Sequence, residues 1–334
     1  MRIAVLGAGA WGTALALTLL GAKPNSSHQV ILWTRDPDHL AELASQRVNR
    51  RYFPAFSLPD SLRLTSTLAA AVEFAELALI TVPTAGLRET LRGIAACGKR
   101  IPIVWGCKGF EIQSAKLPHQ VVQEEYASVA PGGVLSGPSF AQEVAQGLPA
   151  ALTLASRDEE FAKHIAAQLR TPRLRVYSCE DIVGVETGGA VKNVISIAAG
   201  ISDGMGFGYN ARAALITRGL AEIARLGLKL GGRRETFMGL TGAGDLILTC
   251  TGDLSRNRRV GLMLAAGRSL PDILGELGHI AEGVHTAAEV LRLSRELKIE
   301  MPITNAVCSI LHDGVPARLA VEALLSREPK TENY

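Results

Sequence analysis

The segment IAVLGAGAWGTALALTLL, at the start of the chain, constrains the fold more than any other stretch. It places Gly7, Gly9 and Gly12 in a G-x-G-x-x-G pattern between an apolar run and a helix-like stretch that we expect to be amphipathic. In such a unit the first glycine allows a tight turn, the second lets backbone amides approach a pyrophosphate, and the third lets helix and strand pack closely. The helix N-terminus then faces the anion. Because a second β-rich run, QVILWT, follows, the context predicts a dinucleotide site rather than a chance glycine-rich turn.

Short β-rich runs alternate with helix-like stretches through the first half of the chain. After QVILWT come LALITVP, IPIVWGC, GGVLSGP and AALTLAS, each bounded by glycine, proline or polar residues. Continuous apolar strands alternating with helices indicate a parallel sheet covered on both faces. From about Val183 long helical periods take over, as in NARAALITRGLAEIARLGLKLG. We therefore expect a Rossmann-type α/β domain over residues 1–182 and an all-helical domain over residues 183–334.

Composition excludes several classes of protein. The 334 residues carry 35 lysines and arginines against 32 acidic residues, so bulk charge offers no basis for binding nucleic acid. The five cysteines form no C-x-x-C pair, which argues against a disulfide framework or a zinc site and fits a reducing cytoplasm. Polar residues or glycine pairs interrupt every long apolar run, so we predict no membrane span. Glycines also break the first apolar run, which argues against a signal peptide.

The end of the second predicted strand bears on which nicotinamide cofactor the chain takes. An acidic residue there hydrogen-bonds the ribose 2′-hydroxyl of NAD, whereas an arginine favours the 2′-phosphate of NADP. Thr34 stands where the acid would be, and Arg35 follows it. We therefore favour NADP(H) through Arg35, with NAD(H) left open. Asp36 precedes Pro37, so we expect it to be the N-cap of the next helix.

Lys192 lies within GGAVKNVISIAAGISDG, a stretch of small and apolar residues. On a helical period, a core stripe of Val191, Val194, Ile195 and Ala198 lies beside a face of small residues around the lysine, namely Gly188, Gly189, Ser196 and Ala199. The lysine either lays its stem along the surface or has room for a ligand to approach. With a dinucleotide motif in the chain we favour the second reading, because a cation can stabilise and then protonate the oxygen of a ketone that accepts hydride.

The segment GLTGAGDLILTCTGDLSRNRR offers an acid and an anion site. Asp245 lies in a glycine-rich turn, where a turn or capping role competes with a role in a site. Ser255 is a good N-cap for the following helix. The arginines at positions 256, 258 and 259 crowd its first turn, where cations oppose the helix dipole. Either this basic surface is simply solvated, or it holds a phosphate, which predicts a phosphorylated ketone near Lys192.

Six blocks of sequence follow one another as they do in a known family. They are GAGAWGTALA, WGCKGFE, SGPSFAQEVAQGLP, GGAVKNVISIAAGISDGMGFGYNARAALITRGLAE, GAGDLILTCTGDLSRNRR and EMPIT. Over roughly residues 1–312 the chain resembles the bacterial NAD(P)-dependent glycerol-3-phosphate dehydrogenase family. The resemblance implies cytoplasmic, reversible reduction of dihydroxyacetone phosphate to sn-glycerol 3-phosphate, a phospholipid precursor, by a homodimer. It also implies a helical domain similar to the C-terminal domain of 6-phosphogluconate dehydrogenase.

The resemblance also implies individual roles. Lys192 would be the general acid, Asp245 would bind substrate and tune Lys192, and Lys108 would lie between cofactor and substrate. Other substrate contacts are implied for Gly137, Ser139, Ser255, Arg256 and Asn257. Other cofactor contacts are implied for Ala10, Trp11, Arg35, Tyr52, Ala141, Arg256, Ile280 and Glu282. No metal is implied.

Three departures from the family's pattern stand out. Ala10 replaces a frequent serine, so the backbone alone must serve the phosphate there. Ala150 replaces a threonine, and TGAGD replaces the commoner AGLGD. None removes a charged group that the chemistry needs. Two alternatives stay open: a related two-domain dehydrogenase for a hydroxy acid such as 6-phosphogluconate, and a non-catalytic dinucleotide-sensing protein on the same fold.

Overall fold

The first half of the chain forms one eight-stranded sheet with its helices, and the second half is helical. The computed structural model describes residues 1–21, 28–126, 130–278 and 281–328. The strands are β1 (Arg2–Leu6), β2 (Gln29–Trp33), β3 (Val48–Asn49), β4 (Phe53–Ser57), β5 (Arg63–Thr65), β6 (Leu77–Ile80), β7 (Ile103–Trp105), β8 (Gly132–Ser136), β9 (Ala150–Ala155) and β10 (Leu174–Cys179). The helices of this half are α1 (Ala10–Gly21), α2 (Pro37–Gln46), α3 (Leu68–Phe74), α4 (Thr84–Ala96), α5 (Pro118–Glu125), α6 (Ala141–Ala145) and α7 (Glu159–Leu169).

The sheet order is β10-β9-β8-β7-β6-β1-β2-β5, and β3 and β4 form a separate antiparallel pair. The order reverses between β1 and β6, and open α/β sheets bind ligands at the carboxyl ends of strands beside such a reversal. The parallel pairing that we predicted is confirmed for β1, β2, β6, β7 and β8 but is wrong for β9, which pairs antiparallel with β8. Two further strands of the sheet, β5 and β10, lie in segments that we did not predict as strands. The link from β8 to β9 contains only the five-residue helix α6. At about 1.5 Å per residue, this helix is too short to carry the chain back along the sheet, which a parallel strand would require.

Helices cover both faces of the sheet. Side chains alternate along β1, so that Ile3 and Val5 pack on one face while Ala4 and Leu6 pack on the other. The first face is covered by α1, α2 and α7, and the second by α3, α4 and α5. The expectation that α1 is amphipathic is wrong, because α1 carries no charged residue. Its outer side packs against α6, so no face of α1 needs to be polar.

The second half packs its helices around one central helix. Its elements are α8 (Ile182–Gly204), α9 (Gly208–Lys229), α10 (Arg234–Met238), a π-helical turn (Leu240–Gly244), α11 (Asp245–Thr251), α12 (Arg256–Ala265), α13 (Leu270–Leu277), α14 (Glu282–Glu296), α15 (Pro302–His312) and α16 (Ala317–Leu325). The strands end at Cys179, shortly before α8 begins, and the division of the chain into domains at residue 182 stays a prediction.

The central helix α8 is buried on all sides from Gly184 to Ser202. The sequence predicted a core stripe on one face only, and that expectation is wrong because α9, α11, α12 and α14 surround the helix. By length and composition α8 is apolar enough to cross a membrane, but 89% of that apolar window is buried inside the protein. Such burial is typical of the core helix of a folded domain.

Two glycines let α12 lie directly against α8. A Cβ atom built on Gly200 would lie 2.0 Å from the Arg258 carbonyl oxygen, and one on Gly261 would lie 2.1 Å from the Ile197 carbonyl oxygen. No side chain fits at either position, so the two backbones are in contact. This crossing brings the N-terminus of α12 beside the segment of α8 that carries Lys192.

Candidate active site

The glycine-rich turn after β1 has the shape that a dinucleotide requires. Gly7 has a φ of +123°, and a Cβ there would lie 2.9 Å from the Thr81 backbone. A Cβ on Gly12 would lie 2.0 Å from the Gly7 carbonyl oxygen, so the first and third glycines are sterically required. At Gly9, by contrast, nothing lies within 4 Å of the added atom. The turn therefore leaves a cradle above the start of α1 that a Cβ would fill, which fits a pyrophosphate group.

The strand end after β2 carries an exposed arginine and a carboxylate that other groups already hold. The Arg35 side chain is 77% exposed, and the nearest acid, Glu89, is 3.7 Å away. Asp36 caps α2 as we predicted, because its carboxylate accepts a hydrogen bond of 2.9 Å from the Asp38 amide. It also receives Arg51 at 2.6 Å, and this guanidinium holds the pKa of Asp36 below its ordinary value. The Asp36 carboxylate is thus held by short hydrogen bonds, whereas Arg35 has only a long, exposed ion pair with Glu89.

Several other residues that the resemblance implies for the cofactor lie along the same edge. Ala10 and Trp11 form the first turn of α1, and Trp11 Nε1 would lie 3.3 Å from a Cβ on Gly106 after β7. The Tyr52 ring packs edge-on against His39, with centroids 5.3 Å apart. Ala141 begins α6. Ile280 lies outside the described residues.

Two lysines share one buried carboxylate at the centre of the site. Lys192 Nζ lies 2.6 Å from Asp245 Oδ1, and Lys108 Nζ lies 2.8 Å from Asp245 Oδ2. Lys192 is 7% exposed and Asp245 is 1% exposed, which rules out a surface lysine. Burial lowers the pKa of Lys192 to about 8, with the Lys108 charge acting in the same direction and Asp245 opposing both. The ammonium group of Lys192 therefore loses its proton at a lower pH than that of an ordinary lysine.

The three charged groups come from different elements that the fold brings together. Lys108 follows β7, Lys192 lies on α8, and Asp245 begins α11 directly after the π-helical turn. Lys108 Nζ also donates to the Gly137 carbonyl oxygen, 3.0 Å away, just after β8. Ser139 Oγ donates to the same oxygen at 3.0 Å. The carboxyl ends of β7 and β8 therefore meet Lys192 at one edge of the sheet.

The small residues around Lys192 have a different purpose from the one we predicted. A Cβ on Gly188 would lie 2.6 Å from the Thr241 carbonyl oxygen, so the π-helical turn packs against this glycine. Ser196 Oγ donates to the Thr249 carbonyl oxygen at 2.8 Å and lies 2.9 Å from Ser255 Oγ. The prediction that Gly188 and Ser196 leave room for a ligand beside Lys192 is therefore wrong. They let neighbouring backbone approach, and this approach places Asp245 beside Lys192.

The N-terminus of α12 separates the three arginines. Ser255 caps the helix as predicted, since its hydroxyl accepts from the Arg258 amide at 3.2 Å. The Arg258 guanidinium is bound at 2.7 Å by Asp203 and at 3.0 Å by Asp253, so the expectation that all three arginines form one anion site is wrong. Arg256 and Arg259 are exposed. Arg256 is thus the first-turn cation that is left for a ligand.

Asn257 and Glu282 connect α12 to the start of α14. Asn257 Nδ2 donates to Asn193 Oδ1 at 3.0 Å, and Asn257 Oδ1 accepts from the Gly283 amide at 3.2 Å. Burial raises the pKa of Glu282, and the nearby charge of Arg256 opposes that rise. The predicted ligand residues of α12 and α14 are therefore neighbours, although 25 positions separate them in the sequence.

The sequence did not reveal two groups that support the site. Asn193 Nδ2 donates to the Lys108 carbonyl oxygen at 3.4 Å, and an amide directly after Lys192 on a mostly apolar helix was a signal that could have identified it. Buried Glu186 accepts from Trp105 Nε1 at 2.7 Å and from the His119 amide at 2.9 Å, which anchors the chain just before Lys108. Burial raises the pKa of this Glu186 carboxyl. No local pattern connects residues 67 or 81 positions apart.

A search for metal ligands gives no candidate in the part of the chain that the structure describes. There, no group of three or more histidine, cysteine, aspartate or glutamate side chains is placed to hold a metal ion. The charged groups at the centre of the site are instead two lysines that share one aspartate.

Both halves of the chain match models of one known protein family. Residues 2–162 match the family model of the NAD-dependent glycerol-3-phosphate dehydrogenase N-terminus, and residues 181–322 match that of its C-terminus. A glycerol-3-phosphate dehydrogenase [NAD(P)+] from Nitrosospira multiformis is 80% identical over all of both chains. One from Nitrosomonas europaea is 62% identical over 99% of each. The crystal structure of glycerol-3-phosphate dehydrogenase from Coxiella burnetii superposes with a TM-score of 0.92 at 43% identity, covering 98% of this chain and 99% of that one.

Both halves of the chain are covered by these matches, and the phosphate turn and the two lysines that share Asp245 lie within the matched residues. The chain therefore belongs to the NAD-dependent glycerol-3-phosphate dehydrogenase family.

Proposed function

We propose that this chain catalyses the reversible, NAD(P)H-dependent reduction of dihydroxyacetone phosphate to sn-glycerol 3-phosphate. The observation that carries the proposal is the contact of Lys192 and Lys108 with Asp245 at the carboxyl edge of a dinucleotide-binding sheet. Full-length identity of 80% to a protein named glycerol-3-phosphate dehydrogenase [NAD(P)+] supports the same reaction.

The phosphate turn, Trp11 and Arg35 would hold the dinucleotide along the edge beside β1 and β2. When bound, the cofactor supplies the hydride that reduces a ketone. The cradle at Gly9 supports this placement, because it leaves the N-terminus of α1 open to an anion. Tyr52, Ala141 and Glu282 complete the proposed set of contacts.

Lys192 would polarise the ketone oxygen and donate a proton to it. The ammonium is suited to both tasks because its pKa of about 8 keeps it protonated at neutral pH while making the proton easy to lose. Asp245 holds Lys192 in place, and its negative charge keeps the buried cation from losing its proton too early. Lys108 would share this carboxylate and contact substrate beside Gly137 and Ser139.

The N-terminus of α12 would bind the substrate phosphate. Ser255 and Asn257 orient the turn, and the guanidinium of Arg256 is exposed in that turn, near the carboxyl group of Glu282. An anion there would interact favourably with both the helix dipole and the cation. The phosphate would thus fix one end of the substrate while Lys192 meets its carbonyl oxygen.

The decisive experiment is a spectrophotometric assay with dihydroxyacetone phosphate and each reduced nicotinamide. Lys192→Met should lower turnover by roughly 10²–10³-fold, the usual cost of losing one such electrostatic contact, while cofactor binding survives. Lys163→Met is the matched control, because Lys163 is a half-exposed lysine paired with Glu159 on α7. Wild-type turnover by Lys192→Met would eliminate this lysine as the acid.

The same assay separates the alternative functions. Oxidation of 6-phosphogluconate in place of glycerol 3-phosphate would indicate a related two-domain dehydrogenase. Tight binding of NADPH without turnover of any ketone phosphate would indicate a dinucleotide-sensing protein.

We further propose that NADP(H) is preferred over NAD(H). Arg35 supports this preference, since its guanidinium is exposed at the strand end while the neighbouring Asp36 carboxylate is occupied by Arg51 and the Asp38 amide. An arginine there favours a 2′-phosphate. Arg35→Ala should weaken NADPH binding and leave NADH binding nearly unchanged in a fluorescence titration. Tighter binding of NADH than of NADPH by the wild type would contradict the preference.

The cellular setting is proposed from the family alone. We place the protein in the cytoplasm as a homodimer whose product supplies glycerophospholipid synthesis. Light scattering coupled to size exclusion would test the dimer, and a mass near 35.4 kDa, that of one chain, would refute it.

A further inference from the structure

A line of buried polar side chains connects the end of β2 to the phosphate turn. Thr34 Oγ1 lies 3.2 Å from His39 Nδ1, and His39 Nε2 lies 3.1 Å from Asn49 Oδ1. Asn49 Nδ2 lies 2.8 Å from the Ala8 carbonyl oxygen and 2.8 Å from Thr13 Oγ1. All five residues are buried, and Asn49 is 0% exposed. The line begins where the ribose of a dinucleotide is expected and ends inside the turn that receives its phosphates.

The hydrogen bonds fix which atom donates at each step. The Ala8 carbonyl oxygen can only accept, so the Asn49 atom that faces it is the amide nitrogen. At the other end, the Tyr52 amide can only donate, and it lies 3.3 Å from Asn49 Oδ1. His39 Nε2 therefore donates to Asn49 Oδ1, which leaves His39 Nδ1 to accept from the Thr34 hydroxyl. Each polar side-chain atom of Asn49 has a partner, and satisfied buried networks of this kind are rigid.

Asn49 controls the direction of one peptide group in the phosphate turn. The peptide between Ala8 and Gly9 is planar and trans, so its carbonyl oxygen and its N–H point in opposite directions. Because Asn49 holds the Ala8 oxygen on the protein side, the Gly9 N–H points away from Asn49. That peptide can rotate about the Ala8 Cα–C bond and the Gly9 N–Cα bond, and a glycine such as Gly9 allows many values of φ. The open space at Gly9 is where a phosphate would meet this N–H.

We propose that Asn49 is a positioning residue for the dinucleotide. It holds the Ala8–Gly9 peptide in the orientation that binds phosphate, and through His39 it links this turn to Thr34 at the ribose end. A turn that is already oriented costs less to order when the ligand binds. The inference rests on the proposed function only in taking a nicotinamide dinucleotide as the ligand.

The test measures NADPH binding separately from catalysis. In Asn49→Ala the Kd for NADPH, followed by nicotinamide fluorescence without substrate, should rise about tenfold or more, because two hydrogen bonds to the turn are lost. Thr13→Val keeps the side-chain volume and removes one of the two oxygens that accept from Asn49 Nδ2. The Kd of this variant for NADPH should rise about three- to fivefold. In both variants the KM for dihydroxyacetone phosphate and kcat at saturating NADPH should stay within about twofold of wild type, since the lost contacts lie in the turn.

Tyr126→Phe is the matched control for a purely structural role. Its buried hydroxyl donates to the Ile101 carbonyl oxygen at 2.9 Å and accepts from the Ile101 amide at 3.0 Å, in the same half of the protein but away from the turn. It should lower the melting temperature without changing the Kd for NADPH.

Each outcome decides the question. If Asn49→Ala does not fold, the isosteric Thr13→Val decides alone. A variant that binds NADPH within twofold of wild type, whatever its melting temperature, would overturn the inference. A wild-type protein that binds neither NADPH nor NADH would instead overturn the proposed function.

Discussion

The titration of Lys192 should govern the pH dependence of ketone reduction. Only the ammonium form donates a proton, and burial lowers the pKa of Lys192 to about 8. In the reducing direction kcat/KM should therefore be level below about pH 8 and fall above it. In the oxidising direction the neutral amine accepts the proton, so the sign reverses and kcat/KM should rise up to about pH 8.

The size of the effect follows from the pKa. One pH unit above its pKa about a tenth of an acid stays protonated, so reduction should slow about tenfold at pH 9 relative to its plateau. An unperturbed lysine with a pKa near 10.4 would show no decline until well above pH 9. The Asp245 carboxylate lies 2.6 Å from Lys192 Nζ, and its charge raises the pKa of Lys192. Asp245→Asn removes this charge and should therefore lower the pKa of Lys192. An opposite charge this close shifts a pKa by about one to three units, so in Asp245→Asn the decline of kcat/KM for reduction should begin about one to three pH units lower.

Initial rates at limiting dihydroxyacetone phosphate and saturating NADPH, from pH 6 to pH 10, would measure these profiles. Asp60→Asn is the matched control, because Asp60 is a fully exposed aspartate whose ion-pair partner is Arg47. Its profile should overlay that of the wild type. A wild-type decline that begins only above pH 9.5, or a shift to higher pH in Asp245→Asn, would refute the assignment of Lys192 as the buried acid.

Three further predictions follow from the packing of the site. Gly9→Ala should fold normally but bind NADPH much more weakly, because its methyl group enters the open cradle. Gly12→Ala should fail to fold stably, because its methyl group would lie 2.0 Å from a backbone oxygen. Melting curves and fluorescence titration distinguish the two variants. Gly261→Ala should lower the free energy of unfolding by about 1–3 kcal/mol in urea denaturation, because overpacking forces α12 away from α8, and an unchanged midpoint would contradict the close crossing. Arg256→Ala should raise the KM for dihydroxyacetone phosphate at least tenfold, whereas the neighbouring Arg259→Ala should change it less than twofold; equal effects in steady-state kinetics would argue for a diffuse basic surface.

Local sequence patterns predicted the features that depend on a few adjacent residues. The glycine pattern predicted the turn after β1, and Asp36 and Ser255 cap their helices as expected. These predictions are confirmed because the conformation of a turn or a cap depends on backbone geometry within about four residues. The residues around Lys192 favoured a proton-donating lysine, and the resemblance to a family implied that Asp245 tunes it; both roles stay predictions.

Other expectations failed where distant segments meet. Strand direction at β9 was decided by the short α6, and not by the apolar run AALTLAS, which suits either direction. The small residues around Lys192 looked like an open face, but Gly188 is closed by the backbone of the π-helical turn. Arg258 looked like part of an anion site until Asp203, 55 positions away, was found to bind it.

By itself, then, the sequence determined the phosphate turn, the helix caps and a basic residue within an apolar helix, because each of these depends only on residues that are adjacent in the chain. Only the tertiary structure decided that Lys192 is buried against Asp245, that Lys108 shares this carboxylate, and that Asn49 orients the turn. The physical reason is that the pKa of a buried charge and the direction of a peptide depend on partners brought close by packing. Those partners here lie 41 to 137 positions away along the chain.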